Sequence, residues 1–229
     1  MTSGTTTQTV TVWSDIHCPW ALVAVHRLRA AREAGGLDVV FDQRAWPLEL
    51  VNSQSTPQHI VPAETAVLAN HEPTIFSQYT GDWPSTFLPA FELVAAARRV
   101  HGVRAAEDVD YQLRLAFFRD SVNLSIRAGL ERALSDAAEA YPGLDPSAIL
   151  AEWDAGSVRA DVLADYARSK DLPIQGSPQV FWPDGSTTHN PGMTDHEWVR
   201  GLPRIRSSDP DEPGRLLRAA LSAATPATP

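Results

Sequence analysis

The spacing of hydrophobic and polar residues changes twice within the first fifty residues of the chain. Residues 10–13 alternate with the period of two expected of a strand. From Pro19 onward apolar residues recur at helical spacing, until the Ala-Gly-Gly run at 34–36 ends the pattern. The β-branched run at 37–45 predicts a second strand. This part of the chain therefore predicts a strand–helix–strand unit, which is typical of an α/β layer.

The middle of the chain has helical spacing and no convincing strand. Residues 52–62 are rich in Ser, Gln and Pro, and they predict a loop. From residue 63 to 155 we find helical patterns only. The predicted helices of this block cover residues 89–100, 106–118, 126–141 and 147–153.

The last third of the chain returns to strands. Asp184-Gly185 separates two β-like runs, which is a strong signal of a hairpin. One helix is predicted before this hairpin, at 158–169, and another after it, at 211–224. Residues 225–229 are predicted to form a disordered tail. The order of elements is thus βαβ, a helical block, then αββα.

This order predicts how the chain is divided. Residues 1–58 and 156–229 complete one another as a single sheet layer, and residues 59–155 form an inserted helical domain.

Composition and charge exclude several classes of function. There are 19 Lys and Arg against 28 Asp and Glu, a net charge of −9, and no dense basic cluster. We therefore expect binding neither to nucleic acid nor to an anionic membrane surface. The first eight residues lack the basic and apolar regions of a signal peptide. With a single cysteine the chain has no intramolecular disulfide, so we expect a cytoplasmic protein.

The candidate chemistry centres on Cys18, which stands between the first predicted strand and the first helix. Pro19 suits the first helical position. A helix N-terminus offers unpaired N–H groups and about half a positive charge, and both favour the nucleophilic thiolate. The alternative is that Cys18 is a small buried hydrophobic residue. Its polar neighbours Asp15 and His17 favour an accessible helix end, although Asp15 also suits a turn or a helix cap.

The segment Cys18-Pro19-Trp20-Ala21 has the spacing of a Cys-x-x-Cys redox motif, with alanine in place of the second cysteine. A lone thiolate can attack a disulfide, but it cannot resolve the mixed disulfide that results. A second thiol must then come from outside the chain. We expect no tightly bound cofactor, and glutathione or another low-molecular-weight thiol as co-substrate.

Three segments resemble the DsbA-like family, nearest its cytoplasmic FrnE-like branch. Residues 14–20 resemble the active-site segment, 113–118 a helix of the inserted domain, and 176–181 a segment with a cis-proline. The resemblance implies an α/β thioredoxin-like fold with an inserted all-helical domain. The chain departs from the family at Ala21, where the family has its resolving cysteine.

The resemblance also implies which residues form the site. Cys18, Pro19 and Pro178 are the catalytic candidates, with a cis peptide before Pro178 facing Cys18; the alternative is a trans-proline that starts an edge strand. His17 is a candidate to hydrogen-bond the sulfur or to lower its pKa, or else it points to solvent. The candidates for contact with a bound thiol are His17, Trp20, Ser177 and Gln179. We expect no metal site, since the spacing fits no zinc pattern.

Three functions remain open on the sequence alone. The first is a monothiol thiol–disulfide oxidoreductase with Cys18 as nucleophile, for which a Cys18 pKa well below 8.5 would be evidence. The second resembles kappa-class glutathione transferases and chromene-carboxylate isomerases, in which a bound thiol is the nucleophile and Cys18 assists. The third is a non-catalytic binding module. The expected partner is a small thiol or disulfide, and a homodimer is left open.

Overall fold

A computed structural model describes residues 7–55 and 58–224 of the chain. Strand β1 (Gln8–Ser14) pairs in parallel with β2 (Val39–Ala45), in register from Gln8 opposite Val39 to Ser14 opposite Ala45. Helix α1 (Pro19–Gly35) connects the two strands. The strand–helix–strand unit is confirmed. Its second strand begins at Val39 instead of residue 37.

The end of α1 is set by a glycine. Gly36 has a φ of 56°, in the left-handed region that residues with a Cβ rarely adopt. Its backbone N–H donates to the carbonyl oxygens of Arg32 and Glu33 at the end of the helix. This cap turns the chain back toward β2.

The first and last thirds of the chain share one sheet, whose strand order is β2-β1-β3-β4. Strand β3 (Gln179–Phe181) runs antiparallel to β1, with Val180 opposite Val12. Strand β4 (Thr187–His189) pairs antiparallel with β3. The hairpin predicted from Asp184-Gly185 is therefore confirmed.

The helical block follows β2 as expected, and no strand occurs among its described residues up to 155. Helix α3 begins at Ile60, inside the predicted loop 52–62, because Val61 and Leu68 bury an apolar face.

The division of the chain at 58 and 155 stays a prediction. The helices after β2 are α2 (Leu48–Val51), α3 (Ile60–Leu68), α4 (Leu88–His101), α5 (Val103–Phe118), α6 (Arg127–Ala140), α7 (Pro146–Asp154) and α8 (Arg159–Ser169).

A second, two-stranded sheet was not predicted. Strands β5 (His196–Val199) and β6 (Leu202–Ile205) form an antiparallel hairpin, and β6 packs against α3. Helix α9 (Glu212–Ala224) closes the described chain and packs on α1. The predicted tail at 225–229 lies outside the described residues.

The core has two parts. One lies between the sheet and helices α1 and α9, and it includes Val12, Phe41 and Leu217. The other fills the space among the helices of the middle block, and it includes Cys18 and Trp20. The start of α1 thus lies where the two parts of the fold meet. No described helix is long and apolar enough to cross a membrane.

Candidate functional site

Cys18 is the residue that precedes the first turn of α1. Its backbone is extended (φ −82°, ψ 114°), and Pro19 occupies the first helical position. The thiol donates a hydrogen bond to the carbonyl oxygen of Ser177 at 3.2 Å. The structure therefore brings Cys18 and Pro19 together with the segment that was predicted to face them.

The Ser177–Pro178 peptide is cis, which confirms the expectation taken from the resemblance. The Ser177 hydroxyl accepts a hydrogen bond from the backbone N–H of Asp15 at 2.9 Å. The carbonyl oxygen of Pro178 lies 2.9 Å from Nδ1 of His189 and accepts from the N–H of Asn190 at 3.2 Å. This loop is thus tied to the start of α1 on one side and to β4 on the other.

The Cys18 thiol is protonated, contrary to the thiolate predicted from its position at a helix N-terminus. Only 6% of the residue is exposed, and burial raises its pKa to about 12. The nearby carboxylates of Glu64 and Asp15 contribute to this rise, and hydrogen bonds with Ser177 and the Ala21 backbone oppose it. The helix N-terminus favours the thiolate, but this contribution is smaller than the cost of moving a charge out of water.

His17 is buried. The alternative that it points to solvent is therefore wrong. Its Nδ1 lies 2.6 Å from a carboxylate oxygen of Asp15, and its ring stacks on Phe87 at 4.4 Å between centroids. The Asp15 carboxylate also accepts from the backbone N–H groups of His17 and Leu48. Asp15 therefore fulfils the turn role considered for it, and it holds the segment that leads into Cys18.

Trp20 is packed between two residues that the sequence did not single out. Its indole N–H donates to a carboxylate oxygen of Glu64 at 2.8 Å, and the centroids of the Trp20 and His196 rings lie 4.5 Å apart. Glu64 is buried, which raises the pKa of its carboxyl. One signal could have indicated Glu64, because it stands between Val61 and Leu68 on the apolar face of α3.

Gln179 lies in β3 and is fully buried. Its side-chain oxygen accepts a hydrogen bond from the backbone N–H of Gln175 at 3.2 Å, so it fixes the loop that carries Pro178. The roles of His17, Trp20, Ser177 and Gln179 toward a bound thiol stay predictions.

Arg114 on α5 donates hydrogen bonds to the segment that precedes Cys18. The sequence did not single it out as an individual residue. It is 1% exposed, and it donates to the Asp15 carbonyl at 2.6 Å and the Ser14 hydroxyl at 2.8 Å. Its charge is paired with Asp110, one turn earlier on α5. Helix α5 is thereby joined to the end of β1.

The chain is similar to known proteins in both sequence and fold. The DSBA-like thioredoxin domain family matches residues 9–199. No curated protein matches the chain. A probable DsbA oxidoreductase from Streptomyces coelicolor is 20% identical, with a TM-score of 0.60 over 96% of this chain and 93% of that one.

Two further solved structures have the same fold. The cytosolic disulfide reductase DsbM from Pseudomonas aeruginosa, solved with GSH, is 17% identical, with a TM-score of 0.53 over 93% of this chain and 99% of that one. A 2-hydroxychromene-2-carboxylate isomerase is 13% identical, with a TM-score of 0.55 over 79% of this chain and 88% of that one. Membership of the FrnE-like branch stays a prediction. With most of its length matched, this chain belongs to the family of DSBA-like thioredoxin domains.

Proposed function

We propose that this protein is a monothiol thiol–disulfide oxidoreductase, in which Cys18 exchanges with a small disulfide and an external thiol completes the cycle. The observation that carries the proposal is the contact of the Cys18 thiol with Ser177, beside Pro178, at the start of α1. A nucleophile at this place can meet an extended substrate that lies along the Ser177–Pro178 backbone.

The chemistry requires two exchanges. Cys18 loses its proton, its sulfur attacks one sulfur of a disulfide RSSR, and an Sγ–S bond forms as RS⁻ leaves. A second thiolate then attacks the R sulfur of this mixed disulfide and releases Cys18, since Ala21 has no sulfur to do so. We infer that glutathione or a similar low-molecular-weight thiol supplies this second step, and that the protein acts in the cytoplasm.

The buried state of the thiol determines when the first step can occur. Because burial raises the pKa of Cys18 to about 12, very little thiolate is present at neutral pH. Entry of substrate must break the Cys18–Ser177 hydrogen bond and admit polar atoms to the sulfur. This brings the pKa back toward that of an ordinary thiol.

A second candidate is a transferase- or isomerase-like enzyme, which the protonated state of Cys18 favours. A thiol that donates a hydrogen bond to the Ser177 carbonyl can instead donate it to the thiolate of a bound cofactor. The cofactor would then be the nucleophile and Cys18 would stabilise its charge.

Intact mass after incubation with the disulfides of glutathione, mycothiol and bacillithiol tests the first proposal. We expect one adduct per chain in the wild type and none in Cys18→Ser. If the wild type forms no adduct, but Cys18→Ser still binds one of the reduced thiols in calorimetry, the second candidate replaces the first. Absence of both adduct and binding excludes both enzymes.

A further inference from the structure

Glu64 is a buried carboxylate next to the site, and the charge that acts on it comes from His17 and not from a lysine or arginine. Glu107 is paired with Arg29 and Arg32, and Asp110 with Arg114. Among the described residues no Lys or Arg forms an ion pair with Glu64. Its hydrogen-bond donor is the Trp20 indole, at 2.8 Å. A buried carboxylate without a Lys or Arg partner is unfavourable, and the charge of His17 offsets only part of the burial that raises the pKa of Glu64.

The position of Glu64 places its charge beside the reacting group. Trp20 follows Cys18 by two residues in the first turn of α1, and α3 packs against α1. Cys18, Trp20 and the α3 residues Val61 and Leu68 share one apolar cluster. Such a cluster screens charge less than water does, so a carboxylate bound to Trp20 in the first turn of α1 acts on the sulfur that precedes this turn.

We propose that Glu64 is a positioning residue that keeps Cys18 in its thiol form and thereby restrains its reaction with disulfides. The inference rests on the proposed function, because it concerns the same sulfur. A carboxylate bound to Trp20 and a thiolate at Cys18 repel one another, so the carboxylate favours the uncharged thiol. The other titratable groups around Cys18 are Asp15 and His17 before α1 and His196 on β5.

The effect on rate can be derived from two opposing trends. Each unit by which the Cys18 pKa falls gives about tenfold more thiolate at a fixed lower pH. The intrinsic nucleophilicity of the sulfur falls at the same time, with a Brønsted coefficient of about 0.4–0.5. The net gain is roughly threefold in rate for each unit.

Iodoacetamide alkylation of Cys18, followed by mass spectrometry from pH 6 to 11, measures this effect. Glu64→Gln removes the charge and retains an oxygen that can accept from Trp20, and Glu64→Leu removes both. We expect both variants to be alkylated at least threefold faster than the wild type at pH 8, with profiles moved to lower pH. Glu92→Gln is the matched control, since it removes a buried carboxylate from the distant Arg159 pair and should leave the profile unchanged.

Profiles of Glu64→Gln and Glu64→Leu that coincide with the wild type, or move to higher pH, overturn the inference. The same variants are incubated with glutathione disulfide, which tests the proposed function separately. A shifted alkylation profile without any disulfide adduct supports the role of Glu64 and contradicts the oxidoreductase. Disulfide adducts together with an unshifted alkylation profile support the oxidoreductase and contradict the role of Glu64.

Discussion

The Cys18 sulfur and the Ser177 carbonyl oxygen lie 3.2 Å apart, although 159 residues separate them in the chain. The contact joins the start of α1 to the loop that precedes β3. The Ser177 carbonyl has two lone pairs, so the hydrogen bond from the thiol leaves it able to accept a second one. The contact therefore defines the site by joining two segments that are far apart in the chain.

The raised pKa of Cys18 should make the protein less stable at high pH. An unfolded chain has a cysteine pKa of about 8.5, and the folded value is about 12. Between these values the folded state holds the proton and the unfolded state loses it, so stability is complete below pH 8.5 and falls above it. Urea unfolding at pH 7.0 and 9.5 should show a loss from this group of about 1 kcal/mol.

Cys18→Ser isolates this contribution, because serine does not titrate in the range. Other groups with raised pKa values, such as Tyr79 and Tyr111, remain in both proteins. The decrease between the two pH values should therefore be smaller in Cys18→Ser by about 1 kcal/mol. An equal decrease in both proteins would mean that the thiol is not held protonated by the fold.

Arg114 should be among the most sensitive positions for stability. Arg114→Met leaves the buried Asp110 carboxylate without its cation, and the Asp15 carbonyl and Ser14 hydroxyl without a donor. Removing one partner of a buried ion pair costs about 3–5 kcal/mol. We expect a loss of this size in the free energy of unfolding, measured in urea.

Two further variants show whether this loss comes from the unpaired charge. The double variant Asp110→Asn, Arg114→Met should recover part of the loss, because no buried charge remains. Arg119→Met, which breaks an exposed pair with Asp120 at the end of the same helix, should cost less than about 1 kcal/mol. Equal losses in Arg114→Met and Arg119→Met would contradict the assignment.

The parts of the fold with strong local patterns could be predicted from the sequence. The alternation at 10–13 and the Asp184-Gly185 turn indicate β1 and the β3–β4 hairpin. The β5–β6 hairpin could not be predicted in this way. Its strands have four residues each, they contain Pro203 and charged side chains, and their partner α3 lies over 130 residues earlier in the chain.

The chemistry of the site, like the fold, could be predicted only where local sequence signals determine it. The position of Cys18 before a helix could be predicted, because Pro19 and the preceding strand are local signals. The protonation state could not, because it depends on burial by residues distant in sequence. Glu64 on α3 and His196 on β5 enclose Trp20, and neither position is indicated by the residues around Cys18.

The missing second cysteine leads to the most direct prediction about the reaction. A mixed disulfide on Cys18 should persist in the wild type until an external thiol is added. Ala21 lies one helical turn further along α1 and is fully buried. In Ala21→Cys the introduced thiol can attack the mixed disulfide, so that RS⁻ leaves and a disulfide forms between positions 18 and 21.

We expect this intramolecular step to shorten the adduct lifetime by about tenfold or more relative to the wild type, since a tethered thiol acts at a high effective concentration. Intact mass after a glutathione disulfide pulse gives the lifetime directly. Ala24→Cys is the matched control, because it adds the same buried sulfur to α1 six residues from Cys18, where the helix turns it to another face. If the adduct on Ala21→Cys persists as long as on Ala24→Cys, although the 18–21 disulfide forms under oxidant, the site does not support exchange. The transferase- or isomerase-like enzyme then becomes the better proposal.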